Sequence, residues 1–272
     1  MTEDIDVVLS GTGVRLGCTY GALQVLRSKY IIKRIAGTSG GAIMAAALVC
    51  HPEFNKIGEI LKSIDFEDLM CDGKWNSWIR LISENGLYKG DAFEKFIETN
   101  ISMGKRLKNV PNLFIVITNL TTNEPMVLSF NNYPDMKVSY AVRMSMSAPY
   151  YWVPKYLTIN NKKNTIIDGG IAANYYIDLF DDEPRKTIGV CLFTSIKQKA
   201  AFGIIDYVAS ILDTMMMCNE KEHIDDAHWA NTIRIDTADI TPFNLKITKE
   251  QVAWCIEQGY QQTIDALNKK IK

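Results

Sequence analysis

The sequence predicts an α/β protein built on a central, mostly parallel sheet, and three observations carry that prediction. Two strand, glycine turn and helix units follow one another near the start of the chain, buried apolar runs recur further on, and helical periodicity fills the stretches between.

In the first unit, Val7-Val8-Leu9 is a short buried strand running into Ser10-Gly11-Thr12-Gly13-Val14-Arg15-Leu16-Gly17, after which Tyr20, Leu23, Gln24 and Leu26 fall at helical spacing. In the second, Ile35-Ala36 end a strand, Gly37-Thr38-Ser39-Gly40-Gly41 turn, and Ala42 to Leu48 fit a helix packed close beneath. Phe54, Ile57, Ile60, Leu61 and Ile64 form one helical stripe; Phe93, Phe96, Ile97 and Ile101 form another, with Asp91 and Glu94 as a capping box. Leu113 to Thr118 is the clearest buried strand, and a turn at 122–124 followed by Met126 to Phe130 makes a hairpin with it. Later strands are expected at 165–167, 188–193 and 233–235. Val252, Ile256, Tyr260, Ile264, Leu267 and Ile271 mark an amphipathic C-terminal helix opened by Thr248 and Gln251. Its Lys269, Lys270 and Lys272 either complement the helix dipole or touch anionic lipid. No interdomain linker interrupts the pattern, so residues 1–272 read as a single domain.

Composition narrows the function classes. The chain is 47% hydrophobic and 22% charged with a formal net charge of −1, and no stretch interleaves basic and aromatic residues, which excludes nucleic acid as a partner. Cys18, Cys50, Cys71, Cys191, Cys218 and Cys255 are far apart with no Cys-x-x-Cys pair, which points to free thiols in a reducing compartment and away from a zinc site. The acidic start Met1 to Asp6 is unlike a secretory signal, and no apolar run approaches the roughly 20 residues of a membrane span. The expectation is a cytoplasmic protein, peripheral membrane contact being open, or one exported without a cleavable signal.

Gly37-Thr38-Ser39-Gly40-Gly41 reads Gly-x-Ser-x-Gly between strand and helix, the pattern of a nucleophile elbow in which small residues let two segments close on a sharp turn. A serine that attacks a carbonyl also needs a base and amide donors for the oxyanion. Gly11-Thr12-Gly13, at the end of the first strand, offers consecutive amides, and Arg15 can steady the loop or attract an anionic head group. The same loop resembles a dinucleotide fingerprint, but the next strand ends in Gly37-Thr38-Ser39 rather than an acidic residue for a ribose. For the base, His51 follows the serine helix, while His223 and His228 lie in a charged stretch where either could complete a serine, aspartate, histidine triad. Their spacing of five residues places them on different helix faces and argues against a metal pair. The alternative is Asp168 in Asp168-Gly169-Gly170, directly after an apolar strand, where partial desolvation would raise an ordinary aspartate pKa of about 3.9. Trp75, Trp78, Ile79, Leu81 and Ile82, with the run Ile211 to Met217, are candidates for a lid or pocket wall as well as for core.

Taken together, Ser10 to Arg15, the elbow 37–41, Asp168-Gly169-Gly170 and the stretch Ala141-Val142-Arg143-Met144-Ser145-Met146-Ser147-Ala148-Pro149 resemble the patatin-like phospholipase family, in the family's order. Weaker similarity at Gly86-Leu87-Tyr88, 113–118 and Gly259-Tyr260 extends it over nearly the whole chain. The resemblance implies a three-layer α/β/α patatin-like fold and a dyad without histidine, with Ser39 as nucleophile and Asp168 as base. It implies an oxyanion hole at Gly11, Thr12 and Gly13, with Arg15 as loop support. The implied substrate is a phospholipid or other lipid acyl ester, cleaved in the manner of phospholipase A or a lysophospholipase, and no cofactor or metal is expected. Thr12 and Leu16 stand where glycines are common in the family, and each would resist a positive φ. The remaining readings are an esterase using His223 or His228 and a catalytically inactive lipid-binding protein.

Overall fold

The computed structural model describes residues 3–72, 76–182, 184–195 and 203–270. The chain begins with β1 (Glu3–Leu9), α1 (Leu16–Lys29), β2 (Tyr30–Thr38) and α2 (Gly40–Cys50), the two units expected from the sequence. A helical stretch comes next: α3 (Ile57–Ser63), α4 (Phe66–Met70), α5 (Ser77–Glu84), the short β3 (Gly86–Tyr88) and α6 (Asp91–Asn100). The middle of the chain holds the hairpin β4 (Leu113–Asn119) and β5 (Glu124–Ser129), α7 (Val138–Ser145), β6 (Tyr150–Trp152), and the hairpin β7 (Lys155–Ile159) and β8 (Lys162–Asp168). The rest of the chain holds α8 (Gly170–Ala173), β9 (Lys186–Phe193), α9 (Ile204–His223), α10 (Asp226–Ala230), β10 (Thr232–Asp236) and α11 (Lys249–Lys270). β3, β6 and β7 carry too few alternating residues to stand out in the sequence.

β10, β9, β1 and β2 lie side by side and parallel, and β2 continues in parallel to β4. At β4 the sheet forks. β5 pairs antiparallel with Phe114–Asn119 and so occupies one edge of β4 along nearly its whole length. Each strand edge has a single row of N–H and C=O groups, so the other two partners must share the opposite edge. β2 takes Leu113 to Val116 and the antiparallel β8 takes Ile117 to Asn119. The two strands therefore meet tip to tip, with Thr38 opposite Val116 and Asp168 opposite Ile117.

Side chains alternate across the sheet as a pleated strand requires. Leu9, Ile35 and Ile115 join the main core under α1, α2, α7 and α11, while Val8, Ala36, Phe114 and Cys191 pack on the other face against Tyr175, Ile177, Phe180 and Ile224. This is the three-layer α/β/α arrangement that the resemblance implies.

Two helix details differ from the sequence reading. Asp91 is the first residue of α6, not its cap; Gly90 holds the cap position at φ 71°, and the Asp72 carboxylate accepts from the amides of Gly90, Asp91 and Ala92 at 2.7, 2.8 and 3.2 Å. A residue distant in sequence satisfies the helix end, which local spacing does not reveal. In α11 the buried stripe runs through Val252, Cys255, Gly259, Thr263 and Leu267, leaving Tyr260 41% exposed. Small residues win there because α1 approaches too closely for larger ones: a Cβ on Gly259 would stand 1.9 Å from the Cys18 carbonyl oxygen. The Thr248 and Gln251 capping box is present, with reciprocal bonds of 2.9 and 3.2 Å. Ile271 and Lys272 lie outside the described residues.

Candidate active site

Ser39 stands alone between β2 and α2 with φ 51° and ψ −122°, a backbone state that costs a non-glycine residue free energy unless its surroundings enforce it. The flanking glycines allow the enforcement. A Cβ on Gly37 would lie 2.4 Å from the Gly41 carbonyl oxygen, and one on Gly41 would lie 2.3 Å from that of Ser10. Ser39 Oγ donates to Asp168 Oδ2 at 2.8 Å, and Asp168 Oδ1 accepts from the Gly170 amide at 2.8 Å. The tip-to-tip meeting of β2 and β8 explains this contact between residues far apart in the chain.

Asp168 is 5% exposed, and burial pushes its pKa up to about 6. The Gly170 amide, the Ser39 hydroxyl and the positive charge of Arg143 act in the opposite direction. Arg143 is itself buried. It donates to Ser147 Oγ at 2.7 Å and to the carbonyls of Lys89 and Val153 at 2.7 and 3.1 Å, and lies 4.5 Å from the centre of the Trp152 ring.

Ser145, at the end of α7, stands out in the sequence only as part of a longer motif. Its hydroxyl accepts from the Ser39 amide at 2.8 Å and donates to the Val116 carbonyl at 2.6 Å, while its own carbonyl accepts from the Gly169 amide at 3.1 Å. The Ser147 carbonyl accepts from the Asp168 amide at 2.9 Å. One short stretch thus grips both residues. Its sequence signal is no more than two serines directly after an apolar helical segment.

The loop after β1 departs from expectation at Gly11, whose amide donates to the Asn174 carbonyl at 2.9 Å and so does not face Ser39 as a donor. Gly13 lines the pocket beside Ser39, and it is the residue of the 10–17 loop with positive φ, at 55°. Thr12 and Leu16 keep negative φ, so neither departure from the family's glycines strains the backbone. Arg15 is 5% exposed; its Nε donates to the Thr12 carbonyl at 3.0 Å and its Nη1 to the hydroxyls of Thr194 and Thr237, each at 3.1 Å. These bonds tie Nε and Nη1 to the loop itself and to the residues just after β9 and β10, and Arg15 is not among the residues that line the Ser39 pocket. Gly169 and Gly170 carry the chain from Asp168 into α8.

The pocket at Ser39 and Asp168 is narrow, about 40 Å³, and walled by Met146, Leu212, Met216 and Phe243. Tyr151, Leu212, Phe243 and Leu245 also line a neighbouring cavity of about 990 Å³. Of the expected wall residues, Trp78, Leu81 and Leu212 reach this cavity, whereas Ile79, Ile82, Ile211 and Met215 are exposed. Trp75 lies outside the described residues, as does the side chain of Met217.

The structure does not bring His51 or His228 to Ser39. His51 caps the far end of α2, about 16 Å along the helix, where its Nδ1 accepts from the Glu53 amide at 3.1 Å. His228 pairs with Asp181 and Asp225 in the segments leading into β9 and β10, at the opposite end of the parallel strands from Ser39. The side chain of His223 lies outside the described residues. Among the described residues no group of three His, Cys, Asp or Glu is placed to hold a metal, and no helix is long and apolar enough to cross a membrane.

Comparison with known proteins bears on this geometry. The family model for patatin-like phospholipase matches residues 7–181. The uncharacterized protein YqhO of Bacillus subtilis is 30% identical over 95% of this chain and 96% of its own length. A probable lipid hydrolase, 463L, of Invertebrate iridescent virus 6 is 25% identical over 64% of this chain and 62% of its own. The crystal structure of VipD from Legionella pneumophila aligns with a TM-score of 0.66 at 17% identity, covering 98% of this chain and 67% of that one, and shows a common fold.

Proposed function

Because this chain belongs to the patatin-like phospholipase family, a family of lipid ester hydrolases, we propose that it cleaves lipid acyl esters through a Ser39 and Asp168 dyad, as a phospholipase A or lysophospholipase. One observation carries this reading: the 2.8 Å bond from Ser39 Oγ to a buried carboxylate whose pKa of about 6 leaves it ionised, yet basic enough to act, at neutral pH.

Asp168 takes the Ser39 proton as Oγ bonds to the ester carbonyl carbon, and the carbonyl π electrons move onto oxygen. The oxyanion is received by the Gly13 amide and by the N-terminal end of α2, whose dipole favours negative charge. The position of Gly13 supports this, since its nitrogen is 3.1 Å from where a Cβ of Gly40 would stand, directly after Ser39. The C–O bond to the leaving alcohol then breaks, and Asp168 returns its proton to that oxygen. Water, losing a proton to Asp168, attacks the carbonyl carbon of the acyl-Ser39 ester; the C–Oγ bond breaks, Asp168 returns that proton to Ser39 Oγ, and the fatty acid leaves.

Ser39→Ala and Asp168→Asn are each expected to lower phospholipid cleavage by about 10³-fold or more in folded protein. Fluorophosphonate labelling of wild type and its loss in Ser39→Ala, read by mass, place the nucleophile. Cleavage surviving in Ser39→Ala, or wild type that neither labels nor cleaves, removes the reading.

A further inference from the structure

We propose that the apolar rim formed by α5, Tyr150 and α9 docks the protein on the surface of a lipid bilayer, with Trp78, Ile79 and Ile82 entering the headgroup boundary. The inference rests on the lipid-ester reading only for its account of why the cavity faces lipid.

α5 is turned inside out. Its one charged residue before the last turn, Arg80, is 9% exposed and donates to the Leu87 carbonyl at 2.7 Å, while Trp78, Ile79 and Ile82 are 56%, 66% and 86% exposed. A surface helix ordinarily turns its apolar face to the core. Across the cavity, α9 repeats the pattern: Tyr207, Ile211 and Met215 fall four residues apart on one exposed face, while Leu212 and Met216 reach the Ser39 pocket. Tyr150, held at φ 65°, is 59% exposed and lines the cavity with Trp78.

Of these exposed residues, Trp78 and Tyr150 line the cavity that shares its inner wall with the Ser39 pocket, and Ile79 and Ile82 adjoin Trp78 on α5. An exposed apolar patch of this kind marks an interaction site. The position selects lipid as the occupant, because a protein seated on the rim would cover the route to Ser39, whereas a bilayer supplies substrate through it. Trp and Tyr are also the residues that suit a boundary wet on one side and apolar on the other. Glu67, Asp239 and Lys246 are the charged residues lining this cavity, a nearly balanced set. Docking is accordingly driven by apolar contact, without need of anionic lipid.

Full-length Ser39→Ala protein, which leaves the lipid intact, is tested by flotation with vesicles of pure phosphatidylcholine and of phosphatidylcholine with added phosphatidylserine. It is expected to float with both, the partition differing by less than about two-fold, and Ile79→Asp with Ile82→Asp lowers the partition about ten-fold or more. Brominated phosphatidylcholine quenches tryptophan emission, and Trp78→Phe removes most of that quenching. With Ser39 intact, the Ile79 and Ile82 pair leaves hydrolysis of water-soluble p-nitrophenyl butyrate within about two-fold, which shows that the fold survives. Flotation unaffected by the pair overturns the proposal, as does an absolute need for phosphatidylserine. Self-association in lipid-free buffer that the pair abolishes, with no flotation, assigns the face to a second copy and also overturns it. Should Ser39→Ala still cleave esters, the dyad falls while the flotation arms still decide the docking surface.

Discussion

Asp168 is held in a state that favours its proton, and that has two opposite consequences. Its pKa is raised from an ordinary 3.8 to about 6 by burial, so the folded chain binds a proton there more tightly than the unfolded chain does. The stabilisation is fully present below about pH 4 and is lost as pH rises through about 6. Catalysis needs the other form. For the proposed base, kcat/KM is expected to rise with pH, to be half-maximal near pH 6, and to fall about ten-fold per unit below that. Asp168→Asn removes the buried charge while its side-chain oxygen can still accept from the Gly170 amide. Above pH 6 the variant is expected to be more stable than wild type by on the order of 2 kcal/mol, the advantage vanishing near pH 4, as read by urea unfolding at both pH values. A less stable Asn variant at pH 8 would mean that the carboxylate serves the fold rather than the chemistry.

At the level of elements, the site is made where β2 and β8 meet on one edge of β4 and α7 closes over the junction. Ser145 is the clasp: its hydroxyl ties the Ser39 amide to the Val116 carbonyl, joining the elbow to the strand both tips share. Ser145→Ala leaves a buried amide and a buried carbonyl without that partner, a loss of about 1–3 kcal/mol, and lets the elbow relax from its strained φ. The expected result is a kcat lower by roughly ten- to a hundred-fold with KM nearly unchanged, and fluorophosphonate labelling of Ser39 slowed in proportion. Ser145→Thr, which restores the hydroxyl, recovers part of the rate; equal losses in both variants would show that volume, not the bond, matters at this position. The elbow, the Asp-Gly-Gly turn and the main strands were legible in the sequence because each is a local pattern of small residues or apolar period. The clasp was not, since a hydroxyl that bonds an amide 106 residues away leaves no periodic trace. The same holds for Gly11: its glycine marked a turn, but only the fold shows that Asn174 takes its amide. The tip-to-tip pairing also escaped, because local periodicity does not say which edge of β4 a strand will occupy.

At the scale of the molecule, the family match ends at residue 181, yet the site leans on the last third of the chain. β9 pairs with β1 along Ile5 to Leu9, and the Val190 carbonyl accepts from the Ser10 amide at 3.0 Å just where the loop beside Ser39 begins. Arg15, which holds the Thr12 carbonyl, is itself held by Thr194 and Thr237. α11 packs on α1 through Gly259 and Cys255, and the Pro242 carbonyl accepts from the Val14 amide at 2.9 Å. Cutting the chain after Asp181 would strip one full edge from β1, bare the apolar face of α1, and leave Arg15 buried or half-buried with part of its donors unmet. Such losses exceed the roughly 5–15 kcal/mol that holds an ordinary domain together. We therefore expect residues 1–181 to lack a cooperative thermal transition and to show no fluorophosphonate labelling, while the full chain unfolds in one transition, alike by far-UV circular dichroism and tryptophan fluorescence. A folded, labelled 1–181 fragment would show instead that the last third is an accessory, and that the loop beside Ser39 keeps its shape without the threonines that anchor Arg15.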